Sequence, residues 1–263
     1  MSFKHKKKFG QNFLTDQGEV LANIMEVSGV EAQDAILEIG PGEGALTELL
    51  LGTAKKVTCI EIDTDLEKIL RRKYDDHPKF NLVMSDVLEV DFDEKVGEKV
   101  KVVANIPYYI TSPIINKLIE NRKYVDEIYI MVQKEVAQRV CAKSGKERST
   151  LTLAVEYFGE AEYLFTIPKE AFTPMPKVDS AFMSIKIRQD NPYLEKVAEA
   201  TFFKYVKAAF FNKRKNLANN MVSLGLPKDQ AKAKLEEAGI APTRRAETLS
   251  IDEFMDLIEV FEK

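Results

Sequence analysis

The sequence predicts an α/β chain: a largely parallel sheet with helical crossovers on both faces, followed by a small all-helical C-terminal domain. Three observations predict it. Between Ala35 and Ile187 short apolar runs alternate with helical patterns, as strands joined by crossover helices do. Four successive runs lead into a chemically distinctive residue: Gly40, Glu61, Asp86 and Asn105. Beyond Arg188 the remaining patterns are helical.

Residues 1–14 read as a basic arm, with Lys4, Lys6, Lys7 and Lys8 and no acid among the first eight. A helix is expected from Asp16, an N-cap candidate, with Val20, Leu21, Ile24 and Val27 at helical spacing. Ala35–Ile39 is a strand running into Gly40-Pro41-Gly42-Glu43-Gly44, and Leu46–Leu51 opens a helix. Strands follow at Val57–Ile62, Asn81–Met84, Val100–Ala104 and Ile128–Val132, with helices over Asp65–Tyr74, Pro113–Glu120 and from about Lys134. Glu162–Ile167 and Ala181–Ile187 form two more strands, joined by Phe172 to Ser180, which two prolines stiffen into an extended loop. Pro192–Phe211 is one helix, and Asn212–Ser223 continues or follows it. Pro227 stands at an N1-like position of a helix ending near Gly239. Ser250-Ile251-Asp252-Glu253 is a capping box ahead of Phe254, Leu257, Ile258 and Phe261. These elements divide into the arm, a domain over 15–188 and a helical domain over 189–263, with the boundary at Asp190-Asn191-Pro192.

At 45% hydrophobic and 30% charged residues, the 263-residue chain has the composition of a soluble globular protein with ample core. No apolar run approaches the ~18–20 residues of a membrane span, and the opening MSFKHKKKFG lacks the apolar core of a secretion signal. Cys59 and Cys141 are expected as reduced thiols in a cytoplasmic protein. With only His5 and His77 and no cysteine cluster, no metal site is expected.

The net charge is −4, yet basic character is concentrated. Lys204, Lys207, Lys213, Arg214 and Lys215 fall within twelve residues that contain no acid and that interleave with Tyr205, Phe210 and Phe211. Arg244-Arg245 and the arm add to this pole. A local basic patch is what meets a phosphate backbone, whatever the net charge. The aromatics fit equally the buried face of an amphipathic helix. A folded RNA adds unpaired bases that can be flipped out and stacked.

The other pole is Asn105-Ile106-Pro107-Tyr108. An amino group on a flat ring is a poor nucleophile, because its lone pair is delocalised. Two acceptors, the Asn105 side chain and a neighbouring carbonyl, can take its hydrogens and let the nitrogen pyramidalise, while Tyr108 stacks on the ring. Pro107 fixes φ and offers no donor. Phe172 is a candidate second stacking face or a hydrophobic anchor for its loop. The glycines Gly40 and Gly42 allow a ligand close to the backbone. Glu61, 21 residues after Gly40, can accept both hydroxyls of a ribose. Asp86 can accept from an adenine amino group or cap a turn. The loop is neither G-x-G-x-x-G nor a Walker motif, so the ligand is expected to be a nucleoside cofactor without phosphates, and S-adenosylmethionine fits.

Taken together, Lys8 to Leu14, Glu38-Ile39-Gly40-Pro41-Gly42, Glu61, Ser85-Asp86, Asn105 to Tyr108, Phe172 to Ser180, Asn212 to Lys215 and Arg244 to Ser250 resemble the KsgA/Dim-type ribosomal RNA adenine dimethyltransferases over nearly the full length. The resemblance implies a Rossmann-like S-adenosylmethionine-dependent methyltransferase sheet with a small helical RNA-binding domain. It implies donor contacts at Asn12, Leu14, Gly40, Glu61, Asp86 and Asn105. It further implies N6,N6-dimethylation of two adjacent adenosines near the 3′ end of small-subunit (16S) ribosomal RNA. That RNA in an immature 30S particle is the expected partner, and a monomer is expected. Ile106 departs from the commoner Leu. The erythromycin-resistance methyltransferases, which modify large-subunit RNA, carry Ile there, but generally lack the C-terminal ending and the Gly-Pro-Gly loop. A ribosome-assembly factor that methylates incidentally is the other alternative.

Overall fold

The computed structural model describes Phe13, Leu14 and residues 18–263. Lys4, Lys6, Lys7, Lys8, Asn12 and Asp16 lie outside the described residues. In chain order the elements are β1 (Phe13–Leu14), α1 (Glu19–Ser28), β2 (Ala35–Ile39), α2 (Ala45–Thr53), β3 (Lys56–Glu61), α3 (Thr64–Tyr74), β4 (Phe80–Met84), α4 (Phe92–Lys95) and β5 (Val100–Asn105). There follow α5 (Thr111–Glu120), β6 (Val125–Gln133), α6 (Lys134–Val140), α7 (Thr150–Phe158), β7 (Gly159–Ile167), β8 (Phe172–Thr173) and β9 (Ser180–Ile187). The chain closes with α8 (Pro192–Lys196), α9 (Glu199–Ala209), α10 (Leu217–Asn220), α11 (Lys228–Glu237) and α12 (Ile251–Glu262). No described helix is long and apolar enough to cross a membrane.

Seven strands form one sheet in the order β4-β3-β2-β5-β6-β9-β7. From β4 to β6 every pairing is parallel, and β9 runs antiparallel to β6. The central strands are covered on both faces, which is why they read as continuous apolar runs rather than alternating ones; all five residues of β2 are buried. Strand order reverses between β2 and β5, whose neighbours in sequence lie on opposite sides. A crevice opens at such a switch point, beyond the carboxyl ends of the strands. A separate two-stranded ribbon pairs β1 with β8, Leu14 opposite Phe172.

The chain divides into two compact units. One runs through Ala137 and includes Ala161–Ile187; the other comprises Gln138–Glu160 and Arg188–Lys263. Residues 138–160, which fall within the expected domain over 15–188, thus group with the C-terminal helices. The reason is aromatic packing: Tyr157 of α7 stacks on Phe202 of α9 at 4.3 Å, and Phe158 stacks on Phe203 at 6.1 Å. Helix α7 was not anticipated, although Ser149 and Thr152 form its capping box. Arg148, fully buried before it, grips Glu156 with two 2.7 Å bonds.

Three helix boundaries also differ from expectation. The helix expected from Asp16 begins at Glu19, with Gly18 at its N-cap. The helix expected over Pro192–Phe211 breaks at Val197 and Ala198, both extended. The Tyr157 hydroxyl donates to the Val197 carbonyl at 2.6 Å, an acceptor that a continuous helix would use itself. Pro227 stands just outside α11 as its N-cap rather than at N1.

Candidate active site at the sheet's switch point

Only five residues, Gly40 to Gly44, carry the chain from the end of β2 to the start of α2. Gly40 (φ 68°) and Gly44 (φ 90°) hold backbone conformations that side chains resist. A Cβ on Gly44 would lie 2.6 Å from the Tyr74 ring, whose hydroxyl donates to the Gly44 carbonyl at 2.9 Å. The turn is thus pressed against α3, with its peptide edges turned into a cleft of about 210 Å³. A Cβ on Gly40 would reach to 3.7 Å from the Asn105 carbonyl, so the first and fourth distinctive strand ends meet at the reversal of strand order.

Gly40, Gly42, Glu61, Asp86, Asn105, Ile106, Pro107, Tyr108 and Leu14 all line this one cleft. The geometry therefore brings together nearly all the described residues expected for donor and adenine. Glu61 is buried, and its Oε1 accepts from the N–H groups of Ile62 (2.9 Å) and Asp63 (2.8 Å). Burial pushes its pKa up, against the N–H groups of Asp63, Ile62 and Gly42, which favour the anion. A carboxylate offers about four lone-pair sites, so the anchored group keeps capacity for two hydroxyls. Asp86 caps a turn through Leu88 N–H at 2.9 Å and also faces the cleft, so both of its expected roles are compatible.

At the Asn105 end, Ile106 is buried and its N–H reaches the Met131 carbonyl of β6 at 3.4 Å. Thr111 donates to the Pro107 and Tyr108 carbonyls, closing the turn into α5. The Tyr108 hydroxyl is hydrogen-bonded to Ser180, a fully buried residue at the start of β9. That bond fixes the ring that lines the cleft. Sequence reasoning missed Ser180 as a support, since the partners are 72 residues apart. It also missed Tyr109, 59% exposed on the cleft rim, although the Tyr-Tyr pair was in view.

Phe172 requires a correction. It is 2% exposed, belongs to the core cluster with Leu14, Leu21 and Phe182, and does not line the cleft. Of its two expected roles the anchor is the one realised, because the β1–β8 pairing turns it inward behind Leu14.

Glu38 is the residue that sequence reasoning passed over as chemistry. It is 2% exposed beneath the glycine turn, accepts from Thr47 at 2.6 Å and takes the Cys59 thiol at 3.5 Å. Burial pushes its pKa up to about 7; the bonds from Thr47 and Cys59 oppose this, and the neighbouring Glu61 charge adds to it. The folded chain holds this proton more tightly than the unfolded chain, whose value is 4.5. The resulting stability is complete below pH 4.5, is lost between 4.5 and about 7, and is level above. Glu38→Gln keeps an acceptor for Thr47 and removes the titration. Its stability relative to the parent should rise by on the order of 3 kcal/mol from pH 4.5 to 8. Parallel pH profiles in denaturant melts would contradict this.

The cleft's charge is one-sided. Glu38, Glu43, Glu61 and Asp86 line it, and none of its described lining residues is Lys or Arg. Such a donor set suits a cationic nucleoside and disfavours a phosphate-bearing one.

In the second unit the aromatic face is largely core: Phe202 and Tyr205 are buried, and Phe210 stacks on Phe254. The basic residues divide. Arg244 is tied into the fold: its guanidinium is bonded to Glu253 and donates to the Thr248 carbonyl at 2.6 Å. Lys204 pairs with Glu262 at 3.2 Å and Arg245 with Glu247 at 3.9 Å. Lys207, Lys213, Arg214 and Lys215 are exposed.

Residues 2–263 match the family model described as ribosomal RNA adenine dimethylase. A curated relative from Fusobacterium nucleatum, "Ribosomal RNA small subunit methyltransferase A", is 61% identical over 262 residues, 100% of this chain and 99% of the relative. Among solved structures, a dimethyladenosine transferase from Plasmodium falciparum superposes with a TM-score of 0.77 at 26% identity, covering 93% of this chain and 96% of that one. The 23S rRNA methyltransferase ErmE superposes with a TM-score of 0.75 at 28% identity, covering 96% and 100%. The sheet and its flanking helices are thus those of Rossmann-like methyltransferases.

Proposed function

The chain belongs to the ribosomal RNA adenine dimethylase family, and from that premise we propose that it transfers methyl groups from S-adenosylmethionine to N6 of two adjacent adenosines near the 3′ end of small-subunit ribosomal RNA. The observation that carries this reading is the meeting of Glu61, Asp86 and Asn105 in one acidic cleft at the sheet's switch point. The small-subunit choice over the large-subunit one is supported by a relative at 61% identity against ErmE at 28%.

The donor supplies an electrophilic methyl on a sulfonium. Glu61 holds its ribose, Asp86 its adenine amino group, the Gly40–Gly44 turn its amino-acid tail, and Leu14 closes one wall. The Asn105 side chain and the Ile106 carbonyl accept the two N6 hydrogens, and Tyr108, held by Ser180, stacks on the target base. Catalysis is positioning, worth many orders of magnitude when two reactants are fixed in line. No strong general base is needed, because the proton leaves readily once nitrogen carries positive charge. The exposed basic residues of 189–263 bind the RNA backbone within an immature 30S particle, and the protein acts in the cytoplasm as a monomer.

The test is direct. Purified protein with S-adenosylmethionine should place methyl groups on two adjacent adenosines of 30S subunits taken from cells lacking it, read by mass spectrometry of nuclease fragments. Modification of 50S subunits instead would reverse the assignment.

A further inference from the structure

Phe210 and Phe211 are adjacent, yet they part company. Phe210 packs on Phe254, whereas Phe211 is 76% exposed. It opens the loop between α9 and α10 that carries Lys213, Arg214 and Lys215. No described ion pair engages any of these three, and residues 204–215 contain no acid.

The loop is also built to hold its shape. Asn220, 2% exposed, donates to the carbonyls of Ala209 (2.7 Å) and Asn212 (3.0 Å) and accepts from the Asn212 N–H at 3.2 Å. Asn212 in turn accepts from Arg214 N–H at 3.2 Å, and its carbonyl takes Lys215 N–H at 3.0 Å. An exposed aromatic costs hydration free energy, and here it is presented on a pinned backbone beside three cations that no described ion pair engages. That combination fits a nucleobase: a π-face to stack on and a phosphate on each side to neutralise.

We propose that Phe211 is a preformed stacking platform for an unpaired base of the substrate RNA, distinct from the base that is methylated. The proposal rests on the RNA-binding reading above, and deepens it by naming the contact. Stacking tolerates every base, so the platform adds affinity without choosing sequence. Because its cationic neighbours neutralise phosphates on either side, the aromatic and electrostatic contributions are separable by variant and by salt.

The chain contains no tryptophan, so Phe211→Trp creates a single fluorescent reporter on an exposed position that leaves the core untouched. Its emission should be quenched by unmethylated 30S subunits and by a single-stranded oligoadenylate. Phe211→Ala and Phe211→Leu should weaken 30S binding roughly 5- to 100-fold, as loss of one stacked base does, with Phe211→Tyr close to the parent. Parental affinity in Phe211→Leu, or a blue shift without quenching on 30S subunits, would overturn the platform in favour of an apolar protein contact. A Lys213→Ala/Arg214→Ala variant keeps the two levels apart. A flatter salt dependence of binding in it, with Phe211 variants unaffected, rejects stacking but keeps the RNA interface. An unchanged salt slope rejects both.

Discussion

Asn105→Ala should lower the rate of methyl transfer to 30S subunits by roughly 10²- to 10³-fold, the range seen when one fixed hydrogen-bonding group is removed from a reacting centre. Asn105 ends β5 at the switch point, paired to Met131 of β6 and facing Gly40 of the neighbouring strand end. The amine it is proposed to hold has a lone pair shared with the ring. Acceptors on both N–H bonds make the nitrogen tetrahedral, which returns the lone pair to it and aims it at the methyl group. An alanine leaves one N–H unbonded and the amine flat, so the loss appears in kcat rather than in KM. The side chain is only half-buried, and the thermal midpoint should move by no more than a few degrees. Parental turnover by a folded Asn105→Ala protein would remove this residue from the reaction.

Why Asn105 is visible in the sequence lies in the sheet itself. Strands buried on both faces are written as unbroken apolar runs, so the polar or glycine residue that ends each one stands out, and in a parallel sheet those ends lie along one rim. Gly40, Glu61, Asp86 and Asn105 were legible for that reason. Glu38 was hidden by the same logic: it sits inside a run, Ala35–Ile39, where a lone acid looks like an interruption, and only burial against Thr47 and Cys59 gives it chemical meaning. The choice between the two roles of Phe172 was not legible, because a two-residue pairing with the arm, β1 to β8, decides which way it points. The capping box of α7 was local and readable. Its membership of the C-terminal unit was not, since that depends on Tyr157 and Phe158 finding Phe202 and Phe203 more than forty residues later. The bond from Arg244 to Glu253 was hidden in the same way, since it is set by how α12 is capped.

Glu61→Gln should separate stability from donor binding in opposite directions. Burial raises the pKa of Glu61, so ionising it costs the folded state free energy that the unfolded chain does not spend. That disadvantage is absent below pH 4.5 and grows as pH rises past it. Glutamine keeps an oxygen for the Ile62 and Asp63 N–H groups and carries no charge. The ligand-free variant should therefore be at least as stable as its parent at pH 8, with an advantage that shrinks towards pH 4. Donor binding should move the other way. A ribose diol gives two hydrogen bonds to a carboxylate, and bonds to a charged acceptor are each worth ~1.5–3 kcal/mol; the glutamine –NH2 cannot accept. Kd should rise roughly 10²-fold. S-adenosylmethionine at 100 times the parent's Kd should then stabilise the parent by about 2.7 kcal/mol and the variant by about 0.4 kcal/mol. A residue that lowers apo stability yet raises ligand affinity is serving the ligand. If the variant were less stable without ligand but equally stabilised by it, Glu61 would be a structural brace for the β3–α3 turn, and the ribose would have to be held elsewhere in the cleft.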